Sequence, residues 1–233
     1  MTTPKDILGN LSAGRVLDVA TGSGGFIHFL VEGLQGYTEI IGVDTNERAG
    51  ENFTESFKNT PNIRFQKMDA LQLDFADSSF DMVCISNSLH HLDPQAALRQ
   101  MRRVLRPGGT LLASEMYRDG QTEAQLTHVE LHHWWAAVDR IHGVAHRETY
   151  RRGELVELVA GLGLTEMRLF DLSDLNGDPK NPEIMEELNP VFDRYLQRAD
   201  GYPELQARGE ELRRRVGEVG FQSATTLVAL AKN

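Results

Sequence analysis

The chain has little cysteine, few basic residues and no long apolar run. Cys84 is the only cysteine in 233 residues, which excludes an internal disulfide and a metal site made of thiolates alone. Because Cys84 lies in an apolar segment, we expect a small core residue. No apolar run reaches the roughly 18 residues of a membrane span, and residues 1–5 lack an apolar signal region. These absences predict a cytoplasmic protein without a membrane partner.

The charge balance is acidic. Twenty-four Lys and Arg residues face 34 Asp and Glu residues, so the formal net charge is −10. Proteins that bind a phosphate backbone carry clustered Lys and Arg, and the one basic run here, 213–215, is flanked by acidic residues. We therefore expect no nucleic-acid partner. With 40% hydrophobic and 25% charged residues, the chain is predicted to be globular.

A small-residue loop follows the first apolar segment. Residues 16–26 read Val-Leu-Asp-Val-Ala-Thr-Gly-Ser-Gly-Gly-Phe, which predicts a buried strand, a loop and the start of a helix. Small residues let backbone N–H groups approach a ligand, and a helix N-terminus is electropositive. A second strand, 40–44, ends in Asp44, the residue type that holds ribose hydroxyls in nucleoside sites. Together these features predict a pocket for a nucleoside cofactor.

Strand and helix signals alternate along the first half of the chain. This alternation predicts a parallel sheet with helices on both faces. The predicted strands are Arg15–Ala20, Thr38–Val43, Ile63–Lys67, Phe80–Ser86 and Thr110–Ser114. The helices between them are predicted at Gly25–Leu34, Glu47–Asn59 and Asp93–Leu105.

After Ser114 the pattern changes from alternating units to long helical segments. The helices predicted there are Gln121–Gly143, Gly153–Leu162 and a helical segment Pro182–Gly220. Two further strands are predicted at Thr165–Leu172 and Ser223–Ala231. We therefore expect one domain over residues 1–233, with a helical cap insertion at about 117–147 and a second insertion at about 176–220.

Five ordered motifs resemble the class I S-adenosylmethionine-dependent methyltransferases, in particular the small-molecule branch that includes quinone-biosynthesis C-methyltransferases. The motifs are the Asp18–Gly24 loop, Asp44, residues 68–70, residues 80–92 and residues 103–109. The resemblance covers the chain from about Arg15 to Leu172. It implies a three-layer α/β sandwich with a seven-stranded, mostly parallel Rossmann-like sheet whose last strand is antiparallel.

The resemblance also implies roles in binding S-adenosylmethionine, with S-adenosylhomocysteine as the product. Asp44 would accept both ribose hydroxyls, and Asp69 would accept the adenine amino group with the Ala70 N–H beside the ring. The methionine part would lie against Asp18 and the loop, and Ser86 and Asn87 would touch its amino group. The full predicted cofactor site is Asp18, Ala20, Thr21, Gly22, Ser23, Gly24, Asp44, Thr45, Asp69, Ala70, Ser86 and Asn87.

One departure and one rival accompany this resemblance. Ala20 stands where the family usually has its first loop glycine. A nicotinamide dinucleotide enzyme would also show the pair Gly22 and Gly24, but its fingerprint expects a third glycine where this chain has Ile27. It also gives no role to Asp69. The methyltransferase interpretation is therefore preferred.

Five of the eight histidines fall between His128 and His146. On a continuous helix the stripe at spacings of three and four is His128, His132, Trp135, Asp139, His142 and His146. An apolar stripe of Leu131, Trp134, Val138 and Ile141 is expected to pack on the domain. His133 points elsewhere and is expected to be solvated. Because Gly143 is a helix-ending residue, it would detach His146 from the stripe.

The histidine stripe has three interpretations that the sequence leaves open. It is an ordinary polar helix face, a wall of the acceptor site whose neutral imidazoles bind or deprotonate the acceptor, or a metal site. The metal alternative joins His128 and His132 to Asp139 or His142. It lacks a signature such as H-E-x-x-H, so no residue is assigned as a metal ligand.

We expect catalytic groups at the carboxyl ends of the strands and on the stripe. Methyl transfer needs alignment of the acceptor and, for some acceptors, a base. The predicted catalytic residues are His91, His132 and His128. The predicted acceptor-binding residues are His90, Tyr117, Trp135, His146, Tyr150 and Arg151.

The sequence thus predicts S-adenosylmethionine-dependent methyl transfer to a small organic acceptor. Two alternatives remain: the same fold with a histidine metal site that orients the acceptor, and a non-catalytic S-adenosylmethionine-binding protein. A second copy of the chain is a further candidate partner. The sequence leaves two uses of the second insertion open: it adds to the cap, or it forms a dimer surface through Leu188, Val191, Phe192 and Tyr195.

Overall fold

Seven strands form one sheet in the computed structural model, which describes residues 3–233. Their order across the sheet is β3-β2-β1-β4-β5-β7-β6. The strands are β1 Ser12–Val19, β2 Gly36–Asp44, β3 Ile63–Lys67, β4 Phe80–Ser86, β5 Leu105–Met116, β6 Thr165–Leu172 and β7 Thr226–Lys232. This architecture confirms the predicted Rossmann-like α/β fold.

The sheet is parallel across its first five strands. In the paired register Val19 lies opposite both Val43 and Ile85, so the carboxyl ends of β1, β2 and β4 reach the same edge. Strand β7 runs antiparallel to β5. The Gly108 N–H donates to the Asn233 carbonyl and the Asn233 N–H donates to the Gly109 carbonyl, while the Tyr117 N–H donates to the Thr225 carbonyl. The antiparallel last strand that the family resemblance implied is therefore confirmed.

Eight α-helices connect or follow the strands in the described chain. Local signals account for their starts: Asp93 caps α4 with proline at the first helical position, and Thr122 and Gln125 form a capping box on α5. The helices are α1 Pro4–Leu8, α2 Gly25–Gly33, α3 Glu47–Ser56, α4 Pro94–Val104, α5 Glu123–Ile141, α6 Arg152–Ala160, α7 Pro182–Arg198 and α8 Pro203–Val219, with a single 3-10 turn at Leu89–His91. Within residues 3–233, none of these helices combines the length and the apolar character needed to span a membrane.

Apart from shifts of up to three residues at the ends of other elements, the secondary structure corrects the predictions in three places. Strand β5 begins at Leu105 rather than Thr110, because Gly108 and Gly109 pair with the end of the chain at Asn233. The predicted helical segment Pro182–Gly220 is two helices, since Gly201 adopts a left-handed φ of 83° and Pro203 starts a new helix. Helix α5 ends at Ile141, so His146 does not belong to a helical stripe.

The chain divides into two compact units. The first comprises residues up to Glu115, Gly153–Asp171 and Leu227–Asn233, and it contains nearly all of the sheet. The second comprises Met116–Arg152 and Leu172–Thr226, which include both predicted helical insertions. The interpretation of residues 1–233 as one elaborated domain stays a prediction.

The second unit has its own apolar core. Leu131, Trp134 and Val138 of α5 pack with Phe192 of α7 and with Leu212 of α8, and all five are at most 2% exposed. The predicted apolar stripe of α5 therefore exists, but it packs on the helices of the second insertion. Helix–helix burial of this kind explains why these residues are apolar although they lie far apart in sequence.

Candidate functional site

A cavity of about 470 Å³ lies at the carboxyl edge of β1 and β4. A volume of this size suits a ligand of nucleoside size, and in parallel sheets this edge is where ligands bind. Its walls come from the loop after β1, the first turns of α2 and the end of β4. The lining residues are Asp18, Ala20, Thr21, Gly22, Gly25, Phe26, Phe29, Ser86, Asn87 and Ser88.

The loop after β1 is held open by left-handed backbone conformations. Ala20, Gly22 and Gly24 have φ values of 54°, 55° and 85°. At Gly24 a side chain would also collide with Phe53 and Phe57, whose ring carbons lie 2.9 and 2.5 Å from the position of a Cβ. At Ala20 the left-handed conformation brings the Cβ into steric conflict with the backbone, which glycine would avoid. Ala20, which stands where the family usually has a glycine, therefore has a locally strained backbone.

Asp18 is the buried charge of the cavity. It is 1% exposed, and its Oδ2 accepts a hydrogen bond of 2.6 Å from the Thr21 hydroxyl. Its Oδ1 is buried and has no hydrogen-bond partner among residues 3–233. Burial raises the pKa of Asp18 to about 7, the Thr21 hydrogen bond opposes that shift, and the charge of Asp44 adds to it. A cationic donor bound in the cavity would satisfy this oxygen.

Asp44 is already engaged with the backbone. Its Oδ2 accepts from the Gly22 N–H and its Oδ1 accepts from the Asn46 N–H, both at 2.9 Å. A carboxylate offers about four acceptor positions, so each oxygen keeps room for one more donor. The bond to Gly22 also ties the end of β2 to the glycine loop. Each Asp44 oxygen therefore has room for one further donor without losing its present bond, and the predicted role of Asp44 toward two ribose hydroxyls stays a prediction.

Other predicted cofactor residues lie outside the cavity walls. Asp69 is exposed and its Oδ1 caps the Leu71 N–H at 2.8 Å, while Ala70 is 5% exposed. Ser23 and Thr45 are both exposed. The roles of these residues toward an adenine ring stay predictions.

The sequence reasoning missed two aromatic walls. Phe26 and Phe29 line the cavity from α2, with ring centroids 5.1 Å apart and nearly parallel planes. Their spacing of three residues at the start of a helix was the available signal, since it puts both rings on one side of the first turn. Ser88 also lines the cavity and donates to the Ser86 and Ala20 carbonyls.

His90 and His91 differ sharply in environment. His90 is 3% exposed, and its Nδ1 lies 3.0 Å from Oε1 of Glu115, which is 2% exposed. The other oxygen of Glu115 accepts from the Leu89 N–H at 2.9 Å. A carboxylate beside Nδ1 selects the tautomer that carries its proton there and leaves Nε2 as the acceptor nitrogen. His91, which was predicted to be catalytic, is exposed.

Glu115 was missed by the sequence reasoning. A charged residue at the end of the apolar strand β5 was the available signal, because this end lies at the ligand-binding edge of a parallel sheet. Cys84, by contrast, is fully buried, and burial raises the pKa of its thiol well above the ordinary value. Its predicted role as a small core residue is confirmed.

In the second unit, three predicted residues form a buried polar cluster. His146 Nδ1 lies 2.7 Å from Asp139 Oδ2, and His146 Nε2 lies 3.3 Å from His132 Nε2. The exposures of His132, Asp139 and His146 are 6–7%. Arg198 Nη1 lies 2.6 Å from the other oxygen of Asp139. Although burial opposes the shift, the hydrogen bonds from His146 and Arg198 lower the pKa of Asp139.

His128 does not join this cluster. Its Nδ1 accepts from the Ala224 N–H at 2.9 Å, and its ring packs on Phe221 with centroids 5.1 Å apart. Burial lowers the pKa of His128 to about 4, so the ring is neutral at pH 7. The predicted catalytic role of His128 is therefore not supported, because the nitrogen that would act as a base already bonds the backbone.

The predicted metal combination of His128, His132, Asp139 and His142 is also not assembled. His142 is exposed and bonds the Arg198 carbonyl through Nε2 at 2.8 Å. The expectation that His133 is solvated is wrong. Its Nε2 lies 2.8 Å from the Thr149 hydroxyl, and burial is the largest cause that lowers its pKa.

The remaining predicted acceptor residues have mixed environments. Tyr117 is 8% exposed and forms a β-bridge with Tyr150, whereas Arg151 is exposed just before α6. The Trp135 ring packs on Tyr195 at 5.8 Å, and its indole N–H is buried with no hydrogen-bond partner in the described chain. The predicted roles of these residues in acceptor binding stay predictions.

The predicted dimer surface is largely used inside the chain. Phe192 is 1% exposed in the core of the second unit, and Leu188 and Tyr195 pack against that core. Because buried side chains are not available to a second copy, this part of the prediction is corrected. A second copy of the chain stays a candidate partner without an assigned surface.

Comparisons with known proteins agree with the geometry of the first unit. Residues 16–109 match a protein family described as "Methyltransferase domain". A demethylmenaquinone methyltransferase from Staphylococcus aureus (strain MRSA252) is 34% identical over 102 residues. That match spans 43% of this chain and 42% of the relative, so the chain matches less than half the length of this relative.

Solved structures extend the likeness in fold to nearly the whole chain. A candidate methyltransferase from Bacillus halodurans has a TM-score of 0.62 at 16% identity, covering 98% of this chain and 96% of that chain. A phosphoethanolamine N-methyltransferase from Haemonchus contortus, solved with phosphomonomethylethanolamine and S-adenosylhomocysteine, has a TM-score of 0.59 at 16% identity. It covers 97% of this chain and 50% of that chain. At such low identity these likenesses show the fold alone.

Proposed function

Since residues 16–109 match a methyltransferase-domain family and a demethylmenaquinone methyltransferase is 34% identical over 102 residues, we propose that this chain is a class I S-adenosylmethionine-dependent methyltransferase. It transfers a methyl group from S-adenosylmethionine to a small organic acceptor and releases S-adenosylhomocysteine. The single observation that carries the proposal is the buried, unpartnered Oδ1 of Asp18 in a 470 Å³ cavity beside a glycine loop. A cationic amino-acid ligand fits that oxygen, and a nucleoside fits that volume.

The residues of the first unit suit the separate parts of this cofactor. Asp18 and the backbone of the loop would hold the methionine part, with Ser86 and Asn87 beside its amino group. Asp44 keeps acceptor capacity for the ribose hydroxyls. Phe26 and Phe29 offer an apolar wall that excludes water from the cavity. The bound cofactor supplies a methyl group already activated by its sulfonium.

His90 is the group best prepared to act as a base. Its Nδ1 proton is directed at Glu115, so Nε2 carries the lone pair that can take a proton from an acceptor hydroxyl, thiol or acidic carbon. That proton leaves as the bond to the methyl group forms, and Glu115 stabilises the imidazolium that results. In this proposal the base is His90, oriented by Glu115, and not His91, which the sequence analysis predicted to be catalytic.

The nature of the acceptor is proposed only as a class. The Staphylococcus aureus relative is named for its action on demethylmenaquinone, and its match spans only 43% of this chain. We propose a small organic molecule, with Tyr117, Trp135, Tyr150 and Arg151 as acceptor-binding residues. A cytoplasmic location and the absence of a nucleic-acid partner belong to the same proposal, supported by the net charge of −10.

Calorimetry with S-adenosylhomocysteine tests the cofactor site. We expect saturable binding that Asp44→Ala weakens by about 2–4 kcal/mol, because two hydroxyls lose a charged acceptor. The matched control is Asp74→Ala, which removes an exposed carboxylate outside the site and should leave the affinity unchanged. Absence of binding to the wild-type chain would refute the proposal.

Turnover tests the enzyme part of the proposal separately. The wild-type chain is incubated with methyl-labelled S-adenosylmethionine and a panel of small acceptors. Label transferred to an acceptor, and lost in His90→Gln with unchanged cofactor affinity, supports an enzyme that uses His90. Binding without any transfer would instead support the non-catalytic S-adenosylmethionine-binding alternative.

A further inference from the structure

Two buried histidines of the second unit face each other through their Nε2 atoms. Nε2 of His132 and Nε2 of His146 lie 3.3 Å apart, and their ring planes are inclined by 81°. Both side chains are at least nine-tenths buried. We propose that His132 and His146 bind a divalent transition-metal ion such as Zn²⁺.

The distance between the two nitrogens matches shared metal coordination. Imidazole nitrogens bind Zn²⁺ at about 2.0–2.1 Å in tetrahedral geometry, which puts two such ligands about 3.3–3.4 Å apart. The observed separation falls at this value.

A carboxylate orients one of the two rings. Asp139 lies 2.7 Å from Nδ1 of His146, which selects the tautomer with a proton on Nδ1 and a lone pair on Nε2. The Asp139 carboxylate is itself held by Arg198 at 2.6 Å and by the Tyr195 hydroxyl at 3.4 Å. Metal-binding histidines usually donate their second nitrogen to a carboxylate in this way. The cluster therefore contains the orienting group as well as the ligands.

A proton or a cation is needed between the two Nε2 atoms. The lone pair that Asp139 leaves on His146 points at His132, and two facing lone pairs at 3.3 Å repel each other. Either a proton on His132 or a bound cation relieves that repulsion. The separation, which matches that of two ligands on one Zn²⁺ ion, and the Asp139 carboxylate that orients His146 favour the cation. Imidazole suits Zn²⁺, Cu²⁺, Ni²⁺ and Fe²⁺.

The inferred ion would keep open coordination positions. Two imidazoles fill only half of a tetrahedral shell, and open positions are typical of metal sites that bind a substrate. An acceptor with an oxygen donor, such as a hydroxyl or a carboxylate, could occupy them. This step rests on the proposed methyltransferase function, whereas metal binding itself does not.

Metal content and Co²⁺ binding test the inference without measuring activity. The full chain is purified without a histidine tag, stripped with a chelator and titrated with Zn²⁺ and with Co²⁺, in the absence of S-adenosylmethionine. We expect about one ion per chain and visible Co²⁺ absorption of nitrogen coordination. His132→Ala and His146→Gln should both abolish it. Asp139→Asn should weaken binding about 10–100-fold while the ligands remain.

His142→Ala is the matched control. It removes an exposed histidine of the same unit, so Zn²⁺ affinity should stay within about twofold of the wild type. Circular dichroism verifies that each variant is folded, and Asp139→Asn gives a graded readout if an alanine variant does not fold. Wild-type binding that equals that of His132→Ala, or no binding at all, would overturn the inference and leave a hydrogen bond between the two rings. Unchanged calorimetry with S-adenosylhomocysteine in the same variants separates this result from a failure of the proposed function.

Discussion

The cavity of the first unit and the polar cluster of the second unit are built in different ways. The cavity draws all ten of its wall residues from two short segments, 18–29 and 86–88, which the pairing of β1 with β4 brings together. The cluster joins His132, Asp139, His146 and Arg198, which come from one helix, a following loop and another helix. A site made from contiguous segments leaves a readable motif. A site made from separate elements does not.

The largest expected effect tests whether the two regions are energetically separate. Trp134 is 2% exposed at the centre of the second unit, and its indole N–H donates to the Leu205 carbonyl at 2.8 Å. Trp134→Ala should lower the free energy of unfolding by about 3–5 kcal/mol, because it removes a large buried ring and leaves a cavity. Denaturant unfolding measures the loss.

Trp134→Phe is the control for this experiment. It keeps an aromatic ring and loses the Leu205 hydrogen bond, so it should cost only about 1–2 kcal/mol. At a temperature where both variants are folded, the affinity for S-adenosylhomocysteine should match the wild type. A comparable loss of cofactor affinity would show that the two regions are coupled and would break the comparison.

A second prediction concerns the pH dependence of the first unit. Burial raises the pKa of Asp18 from 3.8 to about 7, so folding favours the protonated acid. The corresponding stability is fully present below about pH 4 and is lost as the pH rises through 7. Asp18→Asn removes this dependence and should be more stable than the wild type by about 2–4 kcal/mol at pH 8, while binding the cofactor more weakly.

Unfolding curves at pH 4.5, 6 and 8 test this prediction. The stability difference between Asp18→Asn and the wild type should grow with pH and level off above 7. Asp74→Asn, which alters an exposed carboxylate, should follow the wild type at every pH. A difference that is constant with pH would contradict the argument from burial.

The third prediction addresses the orientation of His90. In Glu115→Gln the amide keeps one acceptor oxygen for two donors, Leu89 N–H and His90 Nδ1, so one of them loses its partner. We expect kcat to fall about 10–100-fold, equivalent to about 1.4–3 kcal/mol, with KM for S-adenosylmethionine unchanged. The pH–rate profile should shift as well, because the imidazolium loses its carboxylate. Equal changes in stability without a change in the profile would assign Glu115 a purely structural role.

The smallest expected effect tests the backbone strain at Ala20 in the glycine loop. Ala20 has a left-handed φ of 54°, which costs an L-residue about 1–2 kcal/mol. Ala20→Gly should therefore raise the free energy of unfolding by up to about 1 kcal/mol, after the greater entropy of glycine in the unfolded chain is subtracted. Ala49→Gly, in helix α3, should lower it by about 1 kcal/mol. Thermal unfolding distinguishes the two signs.

Much of the fold was predictable from local patterns. Strands β3, β4 and β6 begin and end at the predicted residues, because their apolar runs are bounded by turn residues. The start of β5 was not predictable from its own sequence. Gly108 and Gly109, in the first half of β5, pair with Asn233, which is more than 120 positions away.

The break between α7 and α8 was not predicted, although local signals for it were present. Gly201 and Pro203 are strong local signals for a helix end and a helix start, and both act that way in the structure. The helical periodicity on either side of these two residues favoured a single helical segment. His90 and His91 give the opposite case, since adjacent residues of one type carry no sequence signal that could tell a buried ring from an exposed one.

The sequence by itself determined the alternation of strands and helices in the first half of the chain, the glycine loop and the acidic residues at the ends of β1 and β2, because each depends on neighbours within a few positions. Tertiary structure alone decided that His90 meets Glu115, that His128 bonds the backbone, and that His146 returns to His132 after its helix has ended. The physical reason is that burial and hydrogen-bond partners are set by contacts between distant segments, and these choose which of several similar side chains acquires a role.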